Sequence, residues 1–536
     1  MSLRSMLYVI LGYLLGYSIA ISPPRYSKCN SKDFGHGGTV CVCSDQFCDS
    51  FTSGEPLPAQ EYAVYTSSKA GDRFILTTGT FSKTLGVKST DTVIKLAVNR
   101  SVTFQSILGF GGAFTGQTAQ IGPDLRLLTY GSLQLCGQHT SRARYYTILP
   151  VNTAKTSLAE ESKDGYISRL LIPPKIDPGG CKAIISSSIP FILRGLCPPL
   201  YSISSIYTCV YSTYLKNAVR CYMTGFGQLK GKTGDKYHKA WAMYFAKFLE
   251  AYKEKGVDVL AVTVQNEPSD GFIPFFKFQC MGYTAKMERD FIKEDLGPTL
   301  AARGHGDVKI IMLDDQRIFL SSWAETILSD PAAAKFVSGI GVHWYMDKFE
   351  PATVLTDTHN KFPDHFILST EACNDPLTSK PPIVSLGDWS RGNKYSHSII
   401  EDLKKSLCTQ TSKKSRMQTR GNISFLRREI RELTICTVDN KEITTYLSIF
   451  IYLQPMFYHL GHFSKFVPAG SKRIQVTAND QSSLQFIGFT TPSPYASTVV
   501  VVLNTSDQEI ALEIHDEDLG VIRETVPVSS IQTYIW

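Results

Sequence analysis

The sequence lacks any apolar run long enough to cross a membrane after its N-terminal end, which argues against a membrane-spanning protein. Its one apolar run, residues 6–17, follows the basic residue Arg4 and precedes the small residues Ser-Ile-Ala at 18–20. This order is typical of a secretion signal, and the run is shorter than the roughly 20 residues of a transmembrane helix. We therefore predict that residues 1–20 are a signal peptide and that a soluble mature chain begins near Ile21.

The sequence also lacks a strong excess of charge of either sign. Its 55 Lys and Arg residues face 48 Asp and Glu residues, a net charge of +7 in a chain of 536 residues. Such mild basicity is far from the strong positive charge of a nucleic-acid-binding protein, but it suits binding to an anionic membrane surface. A hydrophobic content of 43% with 19% charged residues is typical of a globular protein, and the length exceeds one ordinary core. We expect two or more structural units.

Two common ligand motifs are missing. The glycine cluster "GFGGAFTG" at 109–116 lacks the GxGxxG spacing and the later acidic residue of a dinucleotide site. Cys29, Cys41, Cys43 and Cys48 lack the paired CxxC spacing of a zinc site, and an exported chain favours disulfides. We therefore predict neither a cofactor nor a metal ion.

Acceptor sequons for N-glycosylation occur at Asn99, Asn422 and Asn504. Each of these tripeptides arises easily by chance, so alone they carry little weight. Together with the secretion signal they fit an exported chain. We predict glycosylation at Asn99 and Asn504.

The two ends of the chain have the pattern of antiparallel strands. Residues 61–105 contain short alternating stretches such as "RFILTTGTF", and the C-terminal segment that begins "STVVVVLN" continues in the same way. Both ends therefore favour one β-sandwich that is built from the two flanks of the chain. The middle of the chain would then be inserted between them.

Strands and helices alternate through the middle of the chain. Apolar strands such as "VDVLAVTV" and "DVKIIMLDDQ" follow amphipathic helices, a pattern that predicts a buried parallel sheet. Each strand ends in polar residues, and polar clusters at strand C-termini favour the active-site face of a (β/α)8 TIM barrel. A doubly wound open sheet is the alternative, which would normally bind its ligand beside a glycine-rich loop.

Two carboxylates lie at such strand ends. Glu267 follows "AVTVQN" and Glu371 ends a later strand, with two strands between them. In a parallel barrel both would point into one mouth, where one can attack an anomeric carbon while the other protonates the leaving oxygen. Asn266 could donate a hydrogen bond to the sugar 2-hydroxyl.

Each of these residues could instead have a purely structural role. Glu267 and Glu371 could be helix-start acids that complement the dipoles of the following helices. Alone, His343 would be a structural histidine, and Trp344 and Tyr345 would be packing residues. Their shared position at a strand end instead favours a sugar-binding site, because sugar rings stack on aromatic faces.

Several long motifs resemble the lysosomal glucosylceramidases of the family-30 glycoside hydrolases. The matching segments cover roughly 22–115, 222–407 and 454–536. They include "VCVCSDQFCDSF", "GFGGAFT", "AVTVQNEPS", "IMLDDQR", "VHWYMD", "STEAC", "QPMFYHLGHFSKFVPAGS" and "VVVVLN". The resemblance implies a (β/α)8 barrel at 106–467, a β-sandwich from 51–105 with 468–536, and a small disulfide-bearing β segment at 21–50.

The resemblance also implies roles for individual residues. Glu267 matches the acid/base, Glu371 the nucleophile and Asn266 the asparagine before the acid/base, while His343 and Tyr345 match wall residues of the site. The family's disulfides correspond to Cys29–Cys41 and Cys43–Cys48. The implied substrate is glucosylceramide, a glycosphingolipid, at a membrane surface in the acidic lysosome, where the enzyme is peripheral and a saposin-type protein activates it.

Two stretches depart from the family pattern. Residues 116–221 lack recognisable second and third barrel strands with their sugar-binding residues, and 408–453 is a basic run in place of the eighth strand. We therefore expect both stretches to be irregular and the barrel to be incomplete. The alternatives are a mis-spliced chain, an inactive glycosidase-like binding protein and another family-30 activity such as a xylanase or a β-1,6-glucanase.

Overall fold

The structure of the protein is a computed structural model. It describes residues 29–43, 57–83, 93–112, 183–185, 227–254, 258–273, 281–372, 374, 385–405, 418–423, 451–479, 484–493 and 496–536. The predicted signal peptide and Cys48 lie outside these ranges. No helix in the described part of the chain is long and apolar enough to cross a membrane.

Eighteen strands are described, and they form three sheets. In chain order they are β1 Ser31–Asp33, β2 Thr39–Cys43, β3 Glu61–Ser68, β4 Ile75–Thr80, β5 Ile94–Gly112, β6 Ala183–Ile185, β7 Val259–Thr263, β8 Lys309–Gln316, β9 Val337–His343, β10 Phe366–Glu371, β11 Gln418–Ile423, β12 Ile451–Leu453, β13 Lys472–Ala478, β14 Gln485–Thr490, β15 Thr498–Asn504, β16 Ile510–Asp516, β17 Gly520–Val526 and β18 Ser530–Ile535.

The α-helices of the described residues mostly follow the barrel strands. They are α1 Lys236–Glu254, α2 Ala285–Phe291, α3 Gly297–Ala302, α4 Leu320–Leu328, α5 Pro331–Ala334, α6 Thr353–Lys361, α7 Trp389–Lys405 and α8 Pro455–Ser464. A π-helical turn, Ile292–Leu296, joins α2 to α3. In α1 the aromatic residues Trp241, Phe245 and Phe248 are buried, as the helical spacing of the sequence predicts.

The largest sheet has ten strands and contains both flanks of the chain. Its order is β17-β16-β5-β13-β14-β15-β18-β3-β4, with β11 paired to β5. Ser82, just after β4, exchanges two backbone hydrogen bonds of 3.0 Å with Val521 in β17, so the sheet curls until its two edges meet. The prediction of one β-sandwich from both flanks is confirmed.

The sequence of strand β15 is a continuous apolar run, and the packing of the strand explains why. Val500 and Val502 pack into the core between the two layers of the curled sheet. Val499 and Val501 face the opposite way, into a core shared with α7 and α8. Because both faces of the strand are buried, hydrophobic and polar residues do not alternate along it.

A parallel sheet of order β10-β9-β8-β7-β6 forms most of the barrel. Strand β11 lies beside β10 and pairs in parallel with residues 106–112 of β5, which brings the number of barrel positions filled to seven. The barrel fold is therefore confirmed. We expected the stretches 116–221 and 408–453 to be irregular, but residues 183–185 and 418–423 within them form strands that pair with β7 and β5. Apart from these residues and 451–453, both stretches lie outside the described residues, and the expectation for them stays a prediction.

The barrel and the sandwich are joined within one strand. Strand β5 runs from Ile94 to Gly112, so the boundary predicted between residues 105 and 106 lies inside it. Residues 94–98 pair with β16 in the sandwich, while residues 106–112 pair with β11 in the barrel. Sequence alternation does not show this boundary because the strand continues through it.

The small N-terminal sheet has the order β1-β2-β12, so it recruits β12 from a distant part of the chain. The Cys29–Cys41 disulfide is present, with 5.3 Å between the Cα atoms. Buried Arg73 connects this sheet to the rest, because its guanidinium donates to the Thr39 carbonyl and to the Ser68 carbonyl, each at 2.7 Å. The cation also lies over the ring of Tyr458 in α8, 4.9 Å from its centroid.

The fold overturns one predicted modification. Asn504 at the end of β15 is fully buried, and its Nδ2 donates to the carbonyls of Gln508 and Pro527, each at 2.8 Å. A glycan must be attached to this same nitrogen and does not fit the packing, so we no longer expect glycosylation at Asn504. Asn99 is partly exposed on β5, and its glycosylation stays a prediction.

We predict that Asn504→Ala destabilises the sandwich. The substitution leaves the two carbonyls without their donor inside the protein, which costs about 1–3 kcal/mol. The free energy of unfolding, measured by denaturant titration of unglycosylated protein, should fall by about 2 kcal/mol. Asn99→Ala is the matched control and should change it by less than about 0.5 kcal/mol. Equal effects of the two substitutions would contradict the assignment.

Candidate active site

Glu267 lies just after β7, where the chain turns sharply. Its backbone is left-handed, with φ 42° and ψ 59°, and Pro268 begins a 3-10 turn that ends at Phe272. The Glu267 amide donates to the Asp314 carbonyl at 2.9 Å, which ties this turn to β8. A non-glycine residue in this conformation is uncommon and often marks a functional position.

Three consecutive residues at the end of β8 surround Glu267. The Asp314 carboxylate contacts His343, an oxygen of Asp315 accepts from the Ser269 amide at 2.9 Å, and Gln316 Nε2 donates to Glu267 Oε1 at 2.9 Å. Side chains of a regular strand alternate between its two faces, so three neighbours cannot serve one site without a distortion. The register of β8 against β9 shifts between Leu313 and Asp315, which supplies that distortion.

His343 at the end of β9 bridges two carboxylates. Its Nδ1 lies 3.0 Å from Glu267 Oε1 and its Nε2 lies 3.1 Å from Asp314 Oδ1, and the ring is fully buried. Burial opposes the charge, but the hydrogen bonds to Asp314 and Glu267 outweigh it and hold the pKa of His343 well above its usual value. The imidazolium therefore donates from both nitrogens.

Glu371 ends β10, beside β9 in the sheet. The Tyr345 hydroxyl donates to Glu371 Oε1 at 2.8 Å. One carboxylate oxygen of Glu371, one of Glu267 and a ring nitrogen of His343 all lie within 4.8 Å of one another. Two carboxylates at about 5–5.5 Å are typical of retaining glycosidases, whereas inverting enzymes need about 6.5–9.5 Å.

The hydrogen bonds around Glu267 indicate where its proton would lie. Oε1 accepts from both His343 and Gln316, so a proton on Oε1 would compete with two donors. Oε2 is therefore the oxygen that would carry a proton toward a substrate. Asp270, one turn later, adds a second carboxyl: burial and then the charge of Glu267 raise the pKa of Asp270 to about 8. At acidic pH Asp270 is therefore protonated beside Glu267.

The structure brings some predicted residues together and places one elsewhere. Glu267, Glu371, His343 and Tyr345 share the site, and Asn266 is buried next to it in the chain. Trp344 packs instead into a core cluster, with its ring centroid 4.7 Å from that of Tyr395. We therefore reassign Trp344 from sugar binding to packing.

Sequence reasoning missed three contributors to the site. Asp314 and Gln316 were recognisable as polar residues at a strand end, but nothing in the sequence showed that consecutive residues reach Glu267. Asp270 gave a weaker signal, because it lies three residues after Glu267, the spacing of one 3-10 turn.

Glu267, His343 and Glu371 also offer donor atoms of the kind that bind metal ions. Both ring nitrogens of His343, however, already contact carboxylate oxygens, so neither lone pair is available to an ion between the two glutamates. The residues fit a metal-free site better, and the absence of a metal from the mechanism stays a prediction.

Two family models match the chain. The glycosyl hydrolase family 30 TIM-barrel domain matches residues 200–467, and the glycosyl hydrolase family 30 beta sandwich domain matches residues 470–534. Lysosomal acid glucosylceramidase of Mus musculus is 38% identical over 95% of this chain and 95% of that protein. Putative glucosylceramidase 4 of Caenorhabditis elegans is 32% identical over 88% of this chain and 87% of that protein.

A solved structure supports the fold. SrfJ from Salmonella typhimurium superposes with a TM-score of 0.57 at 20% identity, covering 89% of this chain and 99% of that protein. At this identity the likeness concerns the fold alone. The alignment with the mouse protein extends across residues 116–221 and 408–453, the stretches that we expected to depart from the family.

Buried carboxyls with raised pKa values are a feature of the site and of its surroundings. Burial is the main cause at each position. The pKa is raised to about 8 at Asp270, Glu288 and Asp347, and to about 6 at Asp315 and Asp402. Folding therefore favours the protonated form of all five groups.

We predict that the protein loses stability as the pH rises from about 6.5 to about 9. A carboxyl with a raised folded-state pKa binds its proton more tightly when folded, so its contribution is complete at low pH and is lost as the pH rises through that value. The pKa values of buried His459 and His462 are lowered, and these residues oppose this trend only in more acidic solution. The melting temperature should fall by several degrees, and Glu288→Gln should reduce the fall. A melting temperature that is constant or rises over this range would contradict the prediction.

Proposed function

The chain belongs to glycosyl hydrolase family 30, and from this premise we propose that it hydrolyses the glucosyl bond of glucosylceramide with retention of configuration, in sphingolipid catabolism. The observation that carries the proposal is the approach of Glu267 and Glu371 within 4.8 Å, at the carboxyl ends of the barrel strands. The mouse relative, a lysosomal acid glucosylceramidase by name, supports the choice of substrate.

In the first step Glu371 is the nucleophile. Its carboxylate oxygen forms a bond to the anomeric carbon of glucose while the bond from that carbon to the ceramide oxygen breaks. The departing oxygen takes the proton from Oε2 of Glu267, so ceramide leaves as a neutral alcohol. Tyr345 orients the nucleophile through its hydrogen bond of 2.8 Å.

In the second step Glu267 acts as a base. It accepts a proton from water while the water oxygen attacks the anomeric carbon and the ester bond to Glu371 breaks. Glucose is released in the β configuration, and Glu267 is protonated again for the next cycle. His343 and Gln316 hold Oε1 of Glu267 through both steps, and Asn266 is our candidate donor to the sugar 2-hydroxyl.

Exposed apolar residues near the site support an amphiphilic substrate. Ile273, Ile318 and Phe349 are 48%, 37% and 57% exposed, and they follow β7, β8 and β9 respectively. The carboxyl ends of these neighbouring strands also carry the carboxylates. Lys348 Nζ lies 4.7 Å from the ring centroid of Phe349, so a cation accompanies this apolar edge. Such a combination suits the anionic surface of a bilayer that holds ceramide chains.

The mouse relative, which is lysosomal by name, supports a lysosomal location. Burial keeps Asp270 and Glu288 protonated well above lysosomal pH, since their pKa values are raised to about 8. We propose that the mature protein works in the lysosome as a peripheral membrane protein. A saposin-type activator is part of the proposal through the family resemblance.

We predict that the purified protein releases glucose and ceramide from glucosylceramide in anionic vesicles at acidic pH. Glu267→Gln should lower kcat by about 10²–10⁴-fold because general acid–base catalysis is lost, and Glu371→Gln should abolish turnover. A cyclophellitol epoxide should label Glu371, as mass spectrometry of the digested protein can show. Glu325→Gln, an exposed carboxyl on α4, is the control.

Three outcomes would contradict the proposal. Labelling at a residue other than Glu371 would remove the assignment of the nucleophile. Binding of the glycolipid without turnover would favour an inactive binding protein. Faster cleavage of a xyloside or a β-1,6-linked glucan would favour another activity within the family.

We also predict that Phe349→Ser separates membrane-bound from soluble substrates. Loss of an aromatic ring from a bilayer contact removes apolar burial, so KM for vesicle-borne glucosylceramide should rise about tenfold. The constants for a water-soluble fluorogenic β-glucoside should not change. Val528→Ser is the matched control, because Val528 is 38% exposed between β17 and β18 of the sandwich. An equal effect on both substrates would argue against a membrane contact at Phe349.

A further inference from the structure

Strand β8 contains a bulge directly before the site residues. Leu313 pairs with Gly341 and Asp315 pairs with Val342, so the register of β8 against β9 shifts by one residue at Asp314. Leu313 and Asp314 have φ values of 69° and 52°, in the left-handed region that non-glycine residues rarely occupy. Two such residues in succession persist only where their surroundings fix them.

The bulge determines how Glu267 is held. The carbonyl of Asp314 accepts from the Glu267 amide at 2.9 Å, so the bulge fixes the backbone of Glu267 directly. The Asp314 carboxylate holds His343, which contacts Glu267 Oε1, and Gln316 reaches the same oxygen. One distorted segment therefore fixes both the backbone and the carboxylate of the acid/base.

Glu288 in α2 holds the bulge from behind. Its Oε1 accepts from the Leu313 amide at 2.9 Å, and the side chain is completely buried. Within the described residues its Oε2 has no hydrogen-bond partner. A bulge frees a backbone N–H from the sheet ladder, and a buried N–H needs an acceptor. Glu288 supplies that acceptor at the first residue of the distortion.

We propose that Glu288 is a positioning residue for the acid/base step: by binding the Leu313 amide it fixes the β8 bulge that aims Asp314 and Gln316 at the His343–Glu267 pair. The inference rests on the proposed function, because it concerns proton transfer by Glu267. Glu371 is held separately, by Tyr345 at the end of β9. Loss of the Glu288 contact should therefore impair protonation of the leaving group more than nucleophilic attack.

Gly341 gives an independent route to the same bulge. A Cβ atom at this position would lie 3.1 Å from the Asp314 Cα and 2.9 Å from Thr370 Oγ1, closer than ordinary contacts. The absence of a side chain at Gly341 leaves space for the displaced Asp314. Gly341→Ala should therefore displace the bulge from the β9 side, and it does so without altering the side chain of Glu288.

The test compares two substrates whose leaving groups differ. Departure of 2,4-dinitrophenolate from a β-glucoside needs no proton, whereas departure of an alkyl alcohol does. In Glu288→Met, which keeps the length of the side chain and removes the acceptor, kcat/KM for the alkyl glucoside should fall on the order of 100-fold. The value for the dinitrophenyl glucoside should fall less than about threefold, because kcat/KM reports only formation of the glycosyl-enzyme.

The conservative variant Glu288→Gln keeps an acceptor oxygen for Leu313 and should restore most of the alkyl-glucoside activity. All rates are expressed per site labelled by the cyclophellitol epoxide, which removes misfolded protein from the comparison. If Glu288→Met yields no labelled sites, Gly341→Ala carries the same comparison and should show the same dependence on the leaving group.

Equal losses on both substrates, or a Gln variant as impaired as the Met variant, would overturn the positioning role. Wild-type protein that cleaves neither glucoside would instead overturn the proposed function. The two failures are therefore distinguishable in one set of measurements.

Discussion

The site depends on the pairing of the His343 imidazolium with two carboxylates. The imidazolium is enclosed between Glu267 and Asp314, with no exposed ring atoms, so its charge is balanced only inside the protein. A buried cation is costly unless its partners are held in good geometry, and here that geometry comes from three neighbouring strands. The strand order β7-β8-β9 places Glu267, Asp314 and His343 at adjacent carboxyl ends. The carboxyl that we propose as the acid/base is thus part of a charge network that the barrel must form when it folds.

This dependence explains why the strand ends are distorted. Regular parallel strands deliver every second side chain to one face, which is too few for a site that needs neighbouring residues to converge. Strand β8 solves this with left-handed residues, and β10 shows a second register shift between Ser369 and Glu371. The β8 distortion lies within three residues of Gln316, which donates to Glu267, and the β10 shift ends at Glu371. Local backbone strain is offset by the contacts that the distortion creates.

The sequence predicted regular features better than irregular ones. Apolar strands with polar ends correctly indicated a barrel, and they predicted that Glu267 and Glu371 lie at the same end of it. Both predictions depend only on the regular periodicity of strands and helices. The bulge at Leu313 and Asp314 has no such signature, since "IMLDD" contains no glycine to mark a left-handed turn. Strands β6 and β11 also escaped prediction, because pairing with β7 and β5 decides their conformation. Trp344 was misassigned because its position at a strand end does not reveal which way its ring points.

Strand β5 has a consequence for how the two large units can change in evolution. A single unbroken strand belongs to the sandwich at one end and to the barrel at the other, so no linker separates them. Insertion or deletion of one residue within it would rotate every following side chain to the opposite face. Ile107 and Phe110 would then leave the shared core, and the barrel's first strand would present the wrong surface. The sandwich and the barrel are therefore expected to be inherited together, and a recombination point between them would have to avoid β5.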